Sequence, residues 1–239
     1  MDIRFSRLLK GLLSLTLLVT ASATTSEAAV VYITQARAMV GGITPGDAPG
    51  FPVTISRPGS YQLLSNLVLP SAPNTIGIQI TAESVTLDLN GFAIIGPRVC
   101  PDETEYYCPP HSEAPFSGIT GGRNVTVMNG TVRGSTSVAI ALGAHARVER
   151  VNLLWSSHFG LIAGRGSIVV DSLFAQNGQG AYIDDESRVT GCTFRRNIFT
   201  SLQLWGASAG YNNNILLDTT SPIGGTPLGP NICEGPGCP

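Results

Sequence analysis

A period of about 21 residues runs through most of this 239-residue chain, and a period constrains the fold more tightly than any single segment can. A small polar residue followed two positions later by an apolar or β-branched one recurs at Asn90/Phe92, Asn129/Thr131, Asn152/Leu154, Ser172/Phe174, Cys192/Phe194 and Asn214/Leu216. The steps are 39, 23, 20, 20 and 22 residues. A second column pairs a small residue with a larger, mostly aliphatic one at Gly77-Ile78, Gly118-Ile119, Ala139-Ile140, Gly160-Leu161, Ala181-Tyr182 and Ser201-Leu202. Its steps are 41, 21, 21, 21 and 20. The long first step in each column contains an insertion running from Arg98 to Ser117. Taken alone, Asn90-Gly91 and Asn129-Gly130 would each signal a hairpin turn. Two columns in step over six repeats make them corners of a repeat instead.

Within each repeat the apolar residues alternate over short runs such as IQI, VTLDL, IAL and SIVV, separated by Gly, Asn, Ser and charged turns. These are strands of a few residues. Neither a long heptad nor a long amphipathic helix is present, and 28 Gly with only 13% charged residues suit tight turns. A unit of about 21 residues with three short strands coils once and stacks on its neighbour, roughly 4.8 Å away, through parallel ladders. Inward side chains of successive coils then form continuous apolar rows. The column Asn90, Asn129, Asn152, Ser172, Cys192 and Asn214 is expected to stack at one corner as an interior polar ladder.

At the N-terminus, Arg4, Arg7 and Lys10 precede the apolar stretch GLLSLTLLVTA and the small residues Ala21-Ser22-Ala23. That order describes a secretory signal over residues 1–23, cleaved after Ala23 or, alternatively, Ala29. Its apolar stretch is too short to span a bilayer, which takes about twenty residues. Removing it takes three of the 14 basic and one of the 16 acidic residues, leaving a net charge of about −4 and no lysine. Such a chain has no electrostatic footprint for nucleic acid and no membrane span. In an exported protein the cysteines are expected in disulfides, most simply Cys100 with Cys108 and Cys233 with Cys238, with Cys192 left over. Neither bracket has the spacing typical of a zinc site, and no cofactor is expected.

The period, the Gly-Ile column and the asparagine column resemble those of the right-handed parallel β-helix family, the pectate-lyase-like fold of bacterial secreted proteins. The resemblance covers residues 61–218, with residues 98–117 as a disulfide-closed insertion. Residues 24–60 are expected to form an N-terminal cap that covers the first open coil. The Pro/Gly-rich stretch 219–239 reads as an irregular terminal cover or loose extension.

The resemblance implies a carbohydrate partner met on one outer face, and an envelope component or polysaccharide outside the cell. If Ile78, Ile119, Ile140 and Leu161 point inward, the outward row is Gln79, Thr120, Ala141, Ile162, Ile183 and Gln203, with no ionisable side chain; the alternative is a local register slip that turns Tyr182 and Asp184 outward. A lyase or hydrolase needs positioned acids and bases, or Ca²⁺ with a basic residue. Turns on one side carry His145, Arg147, Arg165, Asp184, Asp185, Glu186, Arg188 and Trp205. Asp184, Asp185, Arg188 and His145 are the catalytic candidates there; the alternative is a solvated ladder of opposite charges. Asp184-Asp185 is similar to the aspartate pair of polygalacturonase-like relatives. The Asn-x-Asp, Gly-His-Gly and Arg-x-Lys companions of that pair do not occur at the matching places.

Turns on the other side carry Trp155, His158, Asn177, Arg196 and Asn197, candidates for holding sugar hydroxyls and stacking on a pyranose. Asn177 and Asn197 lie one coil apart and equally fit a second turn ladder. The insertion, which combines Asp102, Glu103, Glu105, Tyr106, Tyr107, His111 and Glu113, reads as a disulfide-closed surface loop; the alternatives are a lid overhanging a groove or a site for a hard cation. The function expected is an exported β-helix that associates non-catalytically with polysaccharide. The alternatives are a carbohydrate-active enzyme and a structural or adhesion module.

Overall fold

The computed structural model describes residues 29–72, 74–100, 116–217 and 222–234. The short alternating segments form the expected parallel β-helix, and every strand pair is parallel. Each coil passes through three faces. The front sheet has seven strands: Val53–Ile55, Ile76–Ile80, Ser117–Gly121, Val138–Leu142, Phe159–Ala163, Gln179–Ile183 and Thr200–Leu204. After a turn, the chain enters a flank face with strands such as Val85–Asp88, Ile168–Val170 and Arg188–Thr190. It then rounds a sharp corner into a back face with strands such as Ala93–Ile95, Leu173–Ala175 and Thr193–Arg195. Val125–Arg133 and Arg147–Leu154 continue unbroken round that corner, which joins flank and back into one 15-stranded sheet.

The core consists of rows, one residue per coil. On the front face Val53, Ile78, Ile119, Ile140, Leu161, Ala181 and Leu202 stand in register. On the back face the row is Leu67, Ile94, Val132, Leu153, Phe174, Phe194 and Leu216. All of these are buried. The Phe174 and Phe194 rings stack with centroids 4.6 Å apart. Burying each large apolar side chain contributes roughly 1.5–3 kcal/mol. From Ile76–Ile80 onward the second residue of each front strand faces the back row across a thin interior, and it is Gly, Ala or Ser. A Cβ added at Gly118 would lie 2.3 Å from Val132 Cγ1.

Three expectations need correction. The asparagine column is not one row. The corner residue, in left-handed conformation, is Asn129, Arg150, Asp171, Gly191 or Asn213 in successive coils. Ser172, Cys192 and Asn214 lie one position later and do stack: Cys192 N–H donates to Asn214 Oδ1 at 2.9 Å. Asn152 lies one position later still, exposed and level with Thr131 and Leu173. Asn90 and Asn129 share the corner without bonding each other. Asn129 Nδ2 donates to Asp88 Oδ1 and Asn90 Nδ2 to the Leu63 carbonyl.

The solenoid also extends past both expected limits. Val53–Ile55 and Gly59–Leu63, partly inside the stretch expected to be a cap, already pair in register with the next coil. The cap is shorter. Val31–Ile33 pairs with Gly59–Leu63, and a helix, Gln35–Val40, follows with Thr34 as its N-cap. The Gln35 side-chain amide donates to and accepts from the Val68 backbone, covering an open strand edge. At the other end, Thr226–Pro227 and Ile232–Cys233 of the tail pair with the flank and back strands of the last full coil. Asn231 continues the corner ladder by accepting from Asn214 N–H at 3.1 Å.

Residues 1–28, with the expected signal segment, and most of the insertion, 101–115, lie outside the described residues. So do Cys108 and Cys238, the partners expected for Cys100 and Cys233. Cys192 is a buried free thiol. No helix among the described residues is long and apolar enough to cross a membrane.

Candidate functional site

The outer surface of the front sheet is set by register. Because Ile162 pairs with Tyr182 and Tyr182 with Gln203, the outward row is Thr54, Gln79, Thr120, Ala141, Ile162, Tyr182 and Gln203. Tyr182 therefore points out, and Ile183, expected outside, is fully buried. The small position in this coil is taken by Gly180 rather than Ala181. Phe194 and the next coil leave no room there, and a Cβ at Gly180 would sit 2.2 Å from the Ser201 carbonyl oxygen. A one-residue shift in a strand exchanges its two faces.

That shift creates an aromatic row. The rings of Phe159 and Tyr182, on neighbouring coils, meet edge to face with centroids 6.0 Å apart. Tyr182 and Trp205 follow at 6.4 Å, tilted by 32°. Trp205, just past the end of the last front strand, is 61% exposed. Half-buried Gln79, Gln179 and Gln203 lie on the same surface. Trp205 and Tyr182 were visible in the sequence as individual residues, but their joining into one row with Phe159 was not.

The turn that follows each front strand carries the charged candidates. Asn124, His145, Gly166 and Glu186 occupy its left-handed position in successive coils. Arg165 makes two hydrogen bonds to the Glu186 carboxylate, through Nε at 2.7 Å and through Nη2, with both side chains exposed. The Arg165 hydrogen bond and charge outweigh a small burial effect and lower the Glu186 pKa; the same bond raises that of Arg165. Asp184 Oδ1 accepts from Asp185 N–H at 2.8 Å. Asp185 Oδ1 accepts from Glu186 N–H at 2.9 Å and Ser208 N–H at 3.0 Å. Each carboxylate thus ties backbone within or between turns. Arg188 belongs to the flank sheet, level with Ile168 and Gly210. His145 lies across Gly166, where an added Cβ would approach its Nδ1 to 2.6 Å. Of the four catalytic candidates, His145, Asp184 and Asp185 lie in this ladder of turns and Arg188 in the flank strand that follows.

The turn that leads into each front strand holds the ligand-binding candidates, and it separates them. Trp155, Gln176 and Arg196 stack in left-handed conformation. Trp155 Nε1 donates to Gln176 Oε1 at 2.9 Å, and the Arg133 guanidinium lies 5.3 Å from the Trp155 ring centroid. That cation–π contact covers a face of the ring expected to meet sugar. Asn177 and Asn197, one position later, are buried. Asn177 Oδ1 accepts from Ser156 N–H at 3.0 Å, while its Nδ2 donates to the Leu153 carbonyl and to Asn197 Oδ1. Asn197 Nδ2 donates to the Phe174 carbonyl at 3.0 Å. Their amides are engaged inside the solenoid, which removes both from a surface site and matches the alternative of a second turn ladder. His158 is exposed at the edge of the front face.

A groove of about 540 Å³ on the back face, lined in part by Asn152, Asp171, Thr193 and Arg195, contains none of the expected site residues. Among the described residues no group of three His, Cys, Asp or Glu side chains is placed to hold a metal ion.

Neither a family model nor a curated protein matches the sequence. Among solved structures the chain is similar to the crystal structure of the Dettilon tailspike protein, with a TM-score of 0.55 and 11% identity. The match covers 72% of this chain and 37% of that one. At this identity the likeness concerns the fold, a parallel β-helix.

Proposed function

We propose that this chain is an exported β-helix protein that holds a polysaccharide, without cleaving it, along the outer surface of its front sheet. The observation that carries the proposal is the row Phe159, Tyr182 and Trp205, spaced 6.0 and 6.4 Å apart. Aromatic rings with one wet edge match the amphipathic faces of pyranose rings: an apolar C–H face stacks while hydroxyls bond to nearby polar groups. Gln79, Gln179 and Gln203 supply amides for those hydroxyls. Apolar area on a strand surface with few charges fits a ligand that is itself uncharged over much of its surface.

The placement of the acids supports the reading without cleavage. Glycoside hydrolysis uses two carboxyl groups flanking the scissile bond. Asp184 and Asp185 both hold turn N–H groups beside the row. Their closeness to Trp205 is what favours the second reading, a lyase or hydrolase. Incubation with pectins, alginates and glycosaminoglycans, followed by ultraviolet absorbance and reducing-end assays, separates the two: release of product that ceases in Asp185→Asn would establish the enzyme.

The binding test is a glycan array or polysaccharide pull-down with Tyr182→Ala and Trp205→Ala. Each variant is expected to lower affinity by about tenfold or more, the scale of an aromatic contact plus its buried area. Both side chains lie on the surface, so the fold should persist, as circular dichroism would record. Full retention of binding in both would refute the site. Export is part of the proposal, and the mature protein is expected to begin at Thr24.

A further inference from the structure

We infer that Asp185 is a positioning residue: its carboxylate anchors the loop that presents Trp205 to the aromatic row. The inference rests on the glycan-binding reading for its purpose, though not for its geometry.

Trp205, Gly206, Ala207 and Ser208 are all exposed, and they project from the last full coil. All four lie outside the buried core, so among the described residues the loop's shape depends on a few ties. Trp205 N–H donates to the Ile183 carbonyl at 2.8 Å, which fixes where the loop leaves the front sheet. Thr226 Oγ1 donates to the Ala207 carbonyl at 2.9 Å. The third tie is Asp185 Oδ1, which accepts Ser208 N–H at 3.0 Å from one coil away. The same oxygen accepts Glu186 N–H at 2.9 Å, so the carboxylate is held rigidly by its own turn while it holds the next one. Asp185 N–H in turn donates to Asp184 Oδ1, and its carbonyl accepts from Gly166 N–H at 2.9 Å.

Gly206 makes this contact sterically feasible. A Cβ there would lie 2.3 Å from Asp185 Cγ and 2.4 Å from Oδ1. Its φ of 112° also lies outside what side-chain-bearing residues adopt readily. The carboxylate therefore lies directly against the backbone that follows Trp205. Two neighbouring residues on one coil and one missing side chain on the next are matched. The result is an indole held at 6.4 Å from Tyr182. Both bonds fall on one acceptor oxygen, Oδ1, so the tie asks of this side chain only an acceptor at that place. This account also gives the aspartate pair a role that requires no reaction.

The test uses Trp155→Phe as background, which leaves Trp205 as the sole tryptophan of the two in the chain. In that background Asp185→Ala and, independently, Gly206→Ala are expected to lower Trp205 fluorescence anisotropy and erase its near-ultraviolet circular dichroism. Asp185→Asn, which keeps an acceptor oxygen, is expected to retain both signals. Glycan affinity should follow the same order, falling about tenfold in Asp185→Ala and Gly206→Ala and recovering in Asp185→Asn. Unchanged Trp205 spectra in both Asp185→Ala and Gly206→Ala would overturn the inference, whatever the glycan result. Loss of signal in Asp185→Asn equal to that in Asp185→Ala would overturn it too, because charge rather than an acceptor would then be at work. If the spectra change as expected while the parent binds no glycan, the anchoring stands and the glycan-binding reading falls.

Discussion

Replacing Asn177 with Ala separates a structural amide from a ligand-binding one. The side chain is fully buried, with three hydrogen bonds to other coils or strands. Alanine leaves the buried Ser156 N–H without its acceptor, which costs about 1–3 kcal/mol in desolvation. Loss of the bond to the Leu153 carbonyl adds about 0.5–1.5 kcal/mol, and the vacated volume adds a little more. Asn197 Oδ1 keeps the Asn177 backbone N–H, at 3.1 Å, so that contact is not lost. The sum is about 3 kcal/mol. For a chain of this size each kcal/mol lowers the melting temperature by about 2–4 °C, giving a drop of about 6–12 °C. Thermal melts and urea titrations by circular dichroism measure it, and Asn197→Ala should behave alike. Glycan affinity measured well below the transition is expected to be unchanged. A shift smaller than 2 °C, or lost affinity at full stability, would refute the ladder assignment.

Two further outcomes follow from buried groups. Burial pushes the Cys192 thiol up to about 12, so iodoacetamide is expected to label it only after unfolding; mass spectrometry of its peptide from the folded protein would show it unmodified. Glu149 is largely buried between Arg147 and Arg150. Burial pushes its pKa up, but the hydrogen bonds and charges of both arginines outweigh this and hold it below the ordinary value. A depressed pKa stabilises the fold above the ordinary glutamate range, and that stability is lost as pH falls through the lowered value. Glu149→Gln should therefore melt below the parent at neutral pH, with the gap closing as both are acidified; a gap independent of pH would refute the assignment.

The fold was legible because a repeat writes the same constraint many times. The back row runs Ile94, Val132, Leu153, Phe174, Phe194 and Leu216, and no single misreading can hide it. What the sequence obscured was the residue at each corner. Asn129 at a left-handed position follows from residue type, since asparagine tolerates that conformation. Arg150 at the same place in the next coil does not, and Asn152, two positions further on, is the polar residue that fits the spacing instead. The tail misled through composition. Its Gly and Pro residues look irregular, yet Thr226–Pro227 and Ile232–Cys233 add strands because parallel pairing to an existing edge needs only a few residues at a time.

The site was less legible than the fold, for a reason built into solenoids. Polar residues that recur once per coil look like a binding surface, but recurrence is also what a coil requires to satisfy its own turns. Asn177 and Asn197 bond inward, Trp155 lies under Arg133, and Asp185 joins one turn to the next. These side chains hold the coils together, and their regular spacing records that role. A ligand surface has to be sought among outward residues the scaffold does not need, and on the front sheet those are chosen by a register of one residue. Gly180-Ala181 offers two small residues for one small position, and only the crowding around Gly180 decides between them. With Ala181 in that position the face is quiet; with Gly180 there, Tyr182 turns outward and completes the row from Phe159 to Trp205. Gly180→Ala tests the dependence directly. A Cβ there must displace the next coil, so the Phe159–Tyr182–Trp205 spacing and glycan binding should fail together, while unchanged binding would mean that the row does not depend on this register.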